Sequence, residues 1–243
     1  MSNQPPIEVP QGAIRLNTDS HKLELYAQDR WFEMATDVPT LDGAPRGFIA
    51  GGNVPGGKTN GIQAINFATL ATDTGFGDLQ QSRGGPAGAA SRTRGIAAGG
   101  GTPSRVDTID FFSMARRFSG VSASDFGNLT QSRSIDGGRL SSETRAVFAG
   151  GTTPSAIDDR QSFIFATKGN TAHFGDLLVV RDNHMCMSSP TRCIIGGGTV
   201  SSAPSNQIEY VNPTTSGSAV DTNTTFAAAP SGSASLSNAH GGL

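Results

Sequence analysis

Short apolar runs alternate with clusters of Gly, Ser, Thr, Asn and Asp along most of the chain. Apolar runs of four to eight residues bounded by such turn residues are typical of short β-strands. Gly accounts for 32 of the 243 residues, about twice its usual share, and this excess disfavours long helices. The pattern therefore predicts an all-β protein with many short strands.

The strand pattern occurs four times. Each copy begins with an arginine that is followed by apolar residues and a glycine doublet, and the copies start at Arg46, Arg94, Arg145 and Arg192. A second apolar strand signal ends in an aromatic residue in every copy, at Phe67, Phe111, Phe165 and Tyr210. Repeats of about 48 residues with four strand signals each are the signature of β-propeller blades.

A third block, Phe-Gly-Asp/Asn-Leu, starts at Phe76, Phe126 and Phe174, with arginines seven residues later at Arg83, Arg133 and Arg181. In the fourth copy only Phe226 remains of this block. The last residues, Ser237 to Leu243, fit the beginning of a fifth copy. We therefore predict a four-bladed β-propeller over residues 41–243, closed by a C-terminal strand from about Ser231 to Ser237 that pairs with the first blade.

Residues 1–40 have no counterpart in the repeats. AIRLN and KLELYAQ alternate apolar and polar positions around a turn, and the short strand WFEM follows. A lone hairpin of this size is not stable by itself, so we predict an attachment or oligomerisation module. The expected contact residues are Ile14, Leu23, Leu25, Tyr26, Trp31 and Phe32.

Three resemblances relate these patterns to known protein families. The order of glycine doublet, strand, aromatic and arginine resembles the kelch repeat, although Phe-Gly-Asp-Leu stands where kelch usually has tryptophan. The N-terminal residues resemble a hairpin of bacteriophage tail-fibre proteins in carrying Gly12, Ile14, Arg15, Asn17, Thr18, Asp19, Glu24, Tyr26 and Trp31. The repeats are also similar to those of virion structural and fibre proteins of marine cyanobacterial and related phages.

These resemblances imply a virion protein of the tail or tail fibre, made in the host cytoplasm. The hairpin would bind other virion proteins or form a homo-oligomer, with a trimer expected from the fibre likeness, and the propeller would be structural or would contact the host. The alternative is a lectin-like propeller that binds a host surface glycan or protein as a receptor-binding protein.

Gly52 to Thr59 matches the phosphate-loop pattern G-x-x-x-x-G-K-[ST] in full. A phosphate loop has to open a helix, whereas Asn60-Gly61 here predicts a tight turn followed by the strand IQAINF. The equivalent segments of the other repeats carry no Gly-Lys-Thr. We therefore interpret this segment as a glycine-rich surface hairpin, and we expect no nucleotide or other cofactor.

The remaining chemistry is sparse. The formal net charge of −2 and the absence of a basic run disfavour nucleic-acid binding, and no segment predicts membrane insertion or a signal peptide. The four histidines show no metal-ligand spacing, so no metal and no enzymatic activity are expected. Pairing of Cys186 with Cys193 stays open.

Two sets of residues remain as candidates for binding. The leading arginines Arg46, Arg94, Arg145 and Arg192 would form a basic rim, or would pair with acids such as Asp78 and Asp176, and repetition in every blade favours this second role. The longer loops 112–124 and 211–225 favour a contact surface that includes Arg116, Arg117, Thr214 and Asp221.

Overall fold

The computed structural model describes residues 9–17, 22–33, 46–91, 93–114, 120–135, 139–142, 144–189 and 192–232. The chain divides into two compact units, Met1–Leu41 and Asp42–Leu243. Every regular element within the described residues is a β-strand, and no helix there could cross a membrane. The all-β prediction is therefore confirmed.

The N-terminal unit is a three-stranded antiparallel sheet of β1 (Ile14–Asn17), β2 (Lys22–Ala27) and β3 (Arg30–Glu33). Its strands follow each other in space as they do in sequence. Gln28 and Asp29 form the turn between β2 and β3, and both adopt left-handed backbone angles. The three strands agree with the segments predicted from the alternating pattern.

The second unit is built from twenty strands within its described residues. Those of the first repeat are β4 (Arg46–Val54), β5 (Gly57–Asn66) and β6 (Thr72–Asp78). Those of the second repeat are β7 (Ala87–Ala90), β8 (Arg94–Ala98), β9 (Gly101–Thr102), β10 (Ser104–Arg105), β11 (Thr108–Ser113), β12 (Val121–Ser122) and β13 (Ser124–Asn128).

The third repeat contributes β14 (Arg139–Ser141), β15 (Arg145–Ala149), β16 (Ile157–Ile164) and β17 (Ala172–Arg181). The fourth contributes β18 (Met185–Ser188), β19 (Cys193–Gly196), β20 (Thr199–Val200), β21 (Ala203–Pro204), β22 (Gln207–Val211) and β23 (Val220–Thr225). Phe226 lies just beyond β23, whereas the phenylalanines of the other Phe-Gly blocks lie within their strands.

Repeats 2 to 4 each form one four-stranded sheet, and repeat 1 forms three strands of another; these are numbered here as sheets 1 to 4 in chain order. The strand orders are β12-β6-β5-β4 in sheet 1, β13-β11-β8-β7 in sheet 2, β14-β15-β16-β17 in sheet 3 and β18-β19-β22-β23 in sheet 4. Sheets 2 to 4 are antiparallel meanders whose first strand precedes the leading arginine. The four-strand period predicted from the repeats is present in these sheets.

Sheet 1 is assembled differently from the others. It has no leading strand of its own within the described residues, so β4 lies at its edge, and its fourth strand β12 comes from the second repeat and runs parallel to β6. The C-terminal strand that was predicted to pair with this edge falls almost entirely in residues 233–243, outside the described part. No closed arrangement of sheets is found among the described strands.

Three hydrophobic clusters fill the spaces between consecutive sheets. Residues from sheets 1 and 2 meet around Phe76 and Phe112, residues from sheets 2 and 3 around Phe126 and Phe163, and residues from sheets 3 and 4 around Leu177 and Ile195. The ring centroids of Phe126 and Phe163 are 4.8 Å apart. The recurring phenylalanines therefore join one repeat to the next, as expected for a stack of sheets whose members cannot bury their faces alone.

The glycine doublets lie where the backbone comes very close to other main-chain atoms. The first glycine of each doublet, Gly51, Gly99, Gly150 or Gly197, has a left-handed φ of 58° to 67°. A Cβ atom on Gly197 would be 2.5 Å from the Pro230 carbonyl oxygen, and one on Gly99 would overlap the Arg133 carbonyl. Only glycine satisfies both the angle and the close approach, which explains why the doublet recurs.

Candidate functional site

The apolar side chains of the N-terminal sheet share one face. Strand register places Ile14 opposite Leu25, Leu16 opposite Leu23 and Leu25 opposite Phe32. Ile14 and Leu16 are 62% and 60% exposed, and Leu23 is 41% exposed. Leu16 was missed as a contact residue, although its alternation with Ile14 placed it on the same face.

Tyr26 and Trp31, also predicted as contact residues, lie on the opposite face of this sheet. Their ring centroids are 5.2 Å apart, and the Arg15 guanidinium lies 4.1 Å from the Trp31 ring. Arg15 Nε donates to Glu24 Oε2 at 2.7 Å, and Asn17 Nδ2 donates to Glu24 Oε1 at 2.9 Å. These two hydrogen bonds, from Asn17 first and then Arg15, lower the pKa of Glu24. Five of the residues that resemble the fibre hairpin therefore build one polar and aromatic cluster: Arg15, Asn17, Glu24, Tyr26 and Trp31.

The phosphate-loop segment is a β-hairpin. Gly52 pairs with Thr59, Asn53 with Lys58 and Val54 with Gly57 across β4 and β5. The tight turn is at Pro55-Gly56, so its prediction at Asn60-Gly61 is wrong, because these two residues continue β5. Lys58 Nζ donates to the Gly101 carbonyl at 2.7 Å and so links the first repeat to the second. The hairpin interpretation is confirmed.

The leading arginines bind main-chain carbonyls and aromatic rings. Arg94 donates to the Phe165 carbonyl and Arg46 to the Met114 carbonyl, in each case in the following repeat. The guanidinium of Arg145 lies 4.8 Å from the Phe174 ring, and that of Arg192 lies 4.7 Å from the Tyr210 ring. The predicted partners Asp78 and Asp176 do not pair with Arg94, Arg145 or Arg192 in the described part of the chain. Carbonyls replace them because strand ends present unpaired acceptors.

Another set of arginines is fully buried between consecutive repeats: Arg83, Arg133 and Arg181. Arg83 Nη2 is 2.5 Å from Asp110 Oδ2, and Arg181 Nη2 is 3.0 Å from Glu209 Oε1. Each of the three also donates to the carbonyl of the first glycine in the next doublet. Burial lowers the pKa of Arg133 to about 10, with the Asp159 charge opposing this shift, so its guanidinium is charged at neutral pH.

The fourth repeat ends without such an arginine. Gly198 N–H donates to the Pro230 carbonyl, as Gly100 N–H donates to the Arg133 carbonyl, which puts Pro230 in the arginine position. Strand register makes Gln63, which is exposed, the equivalent of Asp110 in repeat 2 and of Gln161 in repeat 3. Gly61 holds the position of Asp159, so repeat 1 supplies no carboxylate at either position. The arginine position of repeat 4 and the carboxylate positions of repeat 1 are therefore all uncharged.

Of the four residues predicted for a loop contact surface, two lie in the described part of the chain. Arg116 and Arg117 lie outside the described residues. Thr214 donates through both its N–H and its hydroxyl to Asn212 Oδ1, and Asp221 accepts from the Asn223 N–H. These contacts stabilise local turns and leave both residues exposed.

The two cysteine thiols and the buried His184 are not activated for chemistry. Cys186 and Cys193 form no disulfide with each other. Strand register places them diagonally across β18 and β19, where Cα atoms lie beyond the usual reach of a disulfide. Burial raises the pKa of Cys193 to about 11 and lowers the pKa of His184 to about 3. Neither thiol is activated, and His184 is neutral at physiological pH.

One cluster of potential metal ligands was not foreseen. Asp159, His173 and Asp176 each offer a ligand atom, and these atoms lie within 4.8 Å of one another.

Comparison of the chain with known protein families and with curated proteins finds no match. Arguments about function therefore depend on the residues themselves.

Proposed function

We propose that the chain is a structural protein of a bacteriophage virion, located in the tail or tail fibre, and that its N-terminal unit docks or oligomerises. The observation that carries the proposal is the two-faced N-terminal sheet. Arg15, Glu24 and Trp31, which resemble the fibre hairpin, bind one another on one face. The other face is left apolar and exposed at Ile14 and Leu16.

An exposed apolar face on so small a sheet favours a protein partner. Burying an aliphatic side chain of this size contributes about 1.5–3 kcal/mol, so several such side chains stabilise a module that is too small to be stable alone. The chain's own copies supply an identical apolar face. We therefore expect a homo-oligomer, with the trimer of the fibre likeness as the specific expectation.

The oligomerisation part is tested by sedimentation of the full chain and of Ile14→Ser/Leu16→Ser, with Gln11→Ser as an exposed control on the same unit. We expect the double variant to be monomeric and the control to keep the wild-type mass. A monomeric wild-type chain, or a double variant that still oligomerises, would contradict self-association through this face.

The four sheets are, in this proposal, the blades of a kelch-like propeller. Paired main-chain hydrogen bonds join consecutive repeats at Gly84 and Gly101, at Ser134 and Thr152, and at Asp182 and Thr199. The equivalent fourth pair is Ser231 and Asn53. Sheets 2 to 4 each begin with a short strand that sheet 1 lacks among the described residues, and residues after Ser231 would supply that strand at the edge of β4 and close the ring.

Closure is tested with Asn53→Cys/Ser231→Cys. Residues in a hydrogen-bonded antiparallel pair have Cα atoms about 5.5 Å apart, within the range for a disulfide. The matched control, Ser134→Cys/Thr152→Cys, should crosslink because its residues are already paired. An intramolecular crosslink at the first pair supports the closed propeller. Crosslinked dimers, or no crosslink while the control succeeds, would refute it.

Host contact is the second part of the proposal, and a lectin-like receptor-binding role is its alternative. Deleting residues 1–38 separates the two. A truncated protein that still binds cells or glycans, but no longer enters particles, identifies a lectin with an anchor. A truncated protein that binds neither, from particles that fail to assemble, identifies a structural component. A map of the assembled particle would show which neighbours the N-terminal unit contacts.

A further inference from the structure

The cluster of Asp159, His173 and Asp176 is produced by an irregularity in sheet 3. Asp159 on β16 pairs with Asp176 on β17, and Gln161 pairs with His173, so β17 carries an extra residue between these pairs. Gly175 within the irregular stretch has a φ of +116°. Such a bulge re-aims a side chain, and here it brings Asp176 to the same side of the strand as His173.

Groups outside the cluster hold the Asp159 carboxylate in place. Gln161 Nε2 donates to Asp159 Oδ2 at 2.5 Å, and the buried Arg133 guanidinium is 3.5 Å from the same oxygen. The other oxygen, Oδ1, lies 2.8 Å from His173 Nδ1. Carboxylates that bind metals are usually held in this way, with one oxygen bonded to a surrounding residue and the other directed at the ion.

The repeat architecture does not require this cluster. In repeat 2, Thr108 pairs with Asn128 and Asp110 with Asp125, which makes Thr108, Asp125 and Asn128 the equivalents of Asp159, His173 and Asp176. Sheet 2 is formed without a histidine and with a single carboxylate at these three positions. Asp159 is needed in repeat 3 as the carboxylate beside the buried Arg133, whereas His173 and Asp176 are ligand-type side chains that the fold does not need.

We propose that Asp159, His173 and Asp176 bind a divalent transition-metal ion of the zinc type. Zinc takes imidazole nitrogen and carboxylate oxygen at about 2.0–2.2 Å, which places neighbouring ligand atoms of a tetrahedron about 3.3 Å apart. His173 Nδ1 and Asp159 Oδ1 are 2.8 Å apart, and His173 Nε2 and Asp176 Oδ1 are 4.0 Å apart. Because one ion binds only one ring nitrogen, binding requires the His173 side chain to rotate until a single nitrogen lies at this spacing from both carboxylates.

The ligand set distinguishes zinc from the common hard cations. Ca²⁺ takes six to eight oxygen ligands and Mg²⁺ prefers an octahedron of oxygens and waters, whereas this cluster supplies one nitrogen and two carboxylates. Three protein ligands leave the fourth position for water or for an atom of a bound molecule. His173 and Asp176 are about half exposed, so an ion from solution reaches them directly.

Calorimetric titration of the full chain with Zn²⁺ tests the site. We expect saturable binding of one ion per chain, at least a tenfold loss of affinity in His173→Ala and in Asp176→Asn, and no loss in Asp125→Ala, which alters the equivalent position of repeat 2. Co²⁺ should give visible absorption bands with the wild type that His173→Ala lacks. Circular dichroism checks that the variants fold.

Two results would overturn the proposal. One is the absence of saturable Zn²⁺ binding, which would leave His173 and Asp159 as an ion pair only. The other is equal Zn²⁺ affinity in wild type and His173→Ala, which would place the ion elsewhere on the chain. Ca²⁺ binding as tight as Zn²⁺ binding would overturn the transition-metal assignment, because it would show that the carboxylates alone are sufficient.

Discussion

Equivalent surfaces of the four sheets differ sharply in what covers them. Ala97, Phe148 and Ile195 lie at the same position of sheets 2, 3 and 4, on the side that faces the preceding repeat, and all are buried. Ile49 holds this position in sheet 1 and is 67% exposed. The same face of the sheet is thus buried at this position in repeats 2 to 4 and exposed in repeat 1. Burial here follows from the neighbour and not from the sequence of the sheet.

The largest effect is expected from the buried arginines. Replacing Arg181 by alanine leaves the Glu209 carboxylate buried without its partner, and breaking such a pair costs about 3–5 kcal/mol. Pro230→Ala changes the equivalent position of repeat 4, and we expect it to cost less than about 1 kcal/mol. Urea unfolding of both variants measures the difference. Equal costs would mean that the ion pair does not distinguish the two positions.

Ile195→Ala and Ile49→Ala form the next pair. A buried isoleucine truncated to alanine costs about 2–5 kcal/mol, whereas an exposed one usually changes stability by no more than about 0.5 kcal/mol. We expect these two outcomes, respectively, in thermal or urea unfolding. If Ile49→Ala were as costly as Ile195→Ala, ring closure would bury the leading side of sheet 1 as deeply as the others.

Alanine substitutions at two glycines distinguish the cost of backbone strain from the cost of steric overlap. Gly151 and Gly52 are the second glycines of their doublets, with φ of +97° and +118°. A Cβ on Gly151 would overlap the Ser134 carbonyl, but one on Gly52 would meet nothing within 4 Å. Both alanine variants strain the backbone by about 1–2 kcal/mol, and we expect Gly151→Ala to cost at least about 1 kcal/mol more. Matching denaturant midpoints would contradict this difference.

A pH dependence is expected at His184, which packs against Gly198 as Ile135 packs against Gly151. Because burial lowers its pKa to about 3, the folded chain binds this proton less readily than the unfolded chain. The stabilising contribution is complete above about pH 6.5 and is lost as the pH falls towards 3, at up to about 1.4 kcal/mol per pH unit.

His184→Ile should remove this slope while keeping the packing. Unfolding free energies of both proteins between pH 7 and pH 4.5 measure it, and parallel curves would show that His184 does not titrate on unfolding.

The features that could be predicted from the sequence are those that recur at a regular spacing. The four-stranded units, the glycine doublets and the N-terminal strands all follow from alternation and period, because these reflect the strand geometry of each segment. The partners of the leading arginines did not follow, since a main-chain carbonyl such as that of Phe165 has no sequence signature. Asp159 and His173 are fourteen residues apart and meet only through strand pairing and a bulge, so no spacing rule indicated their cluster.

The division of each buried ion pair between two repeats also fixes the order in which repeats can stand. An internal copy brings an arginine for the repeat after it and an acceptor for the repeat before it, so an additional internal copy could be inserted without redesigning its neighbours. The first and last copies are not interchangeable with internal ones, because repeat 1 has Gly61 and Gln63 where repeat 3 has Asp159 and Gln161, and because Pro230 supplies no charge at the arginine position of repeat 4. The ion pairs therefore allow the number of internal repeats to change, whereas the first and last repeats have to keep their places.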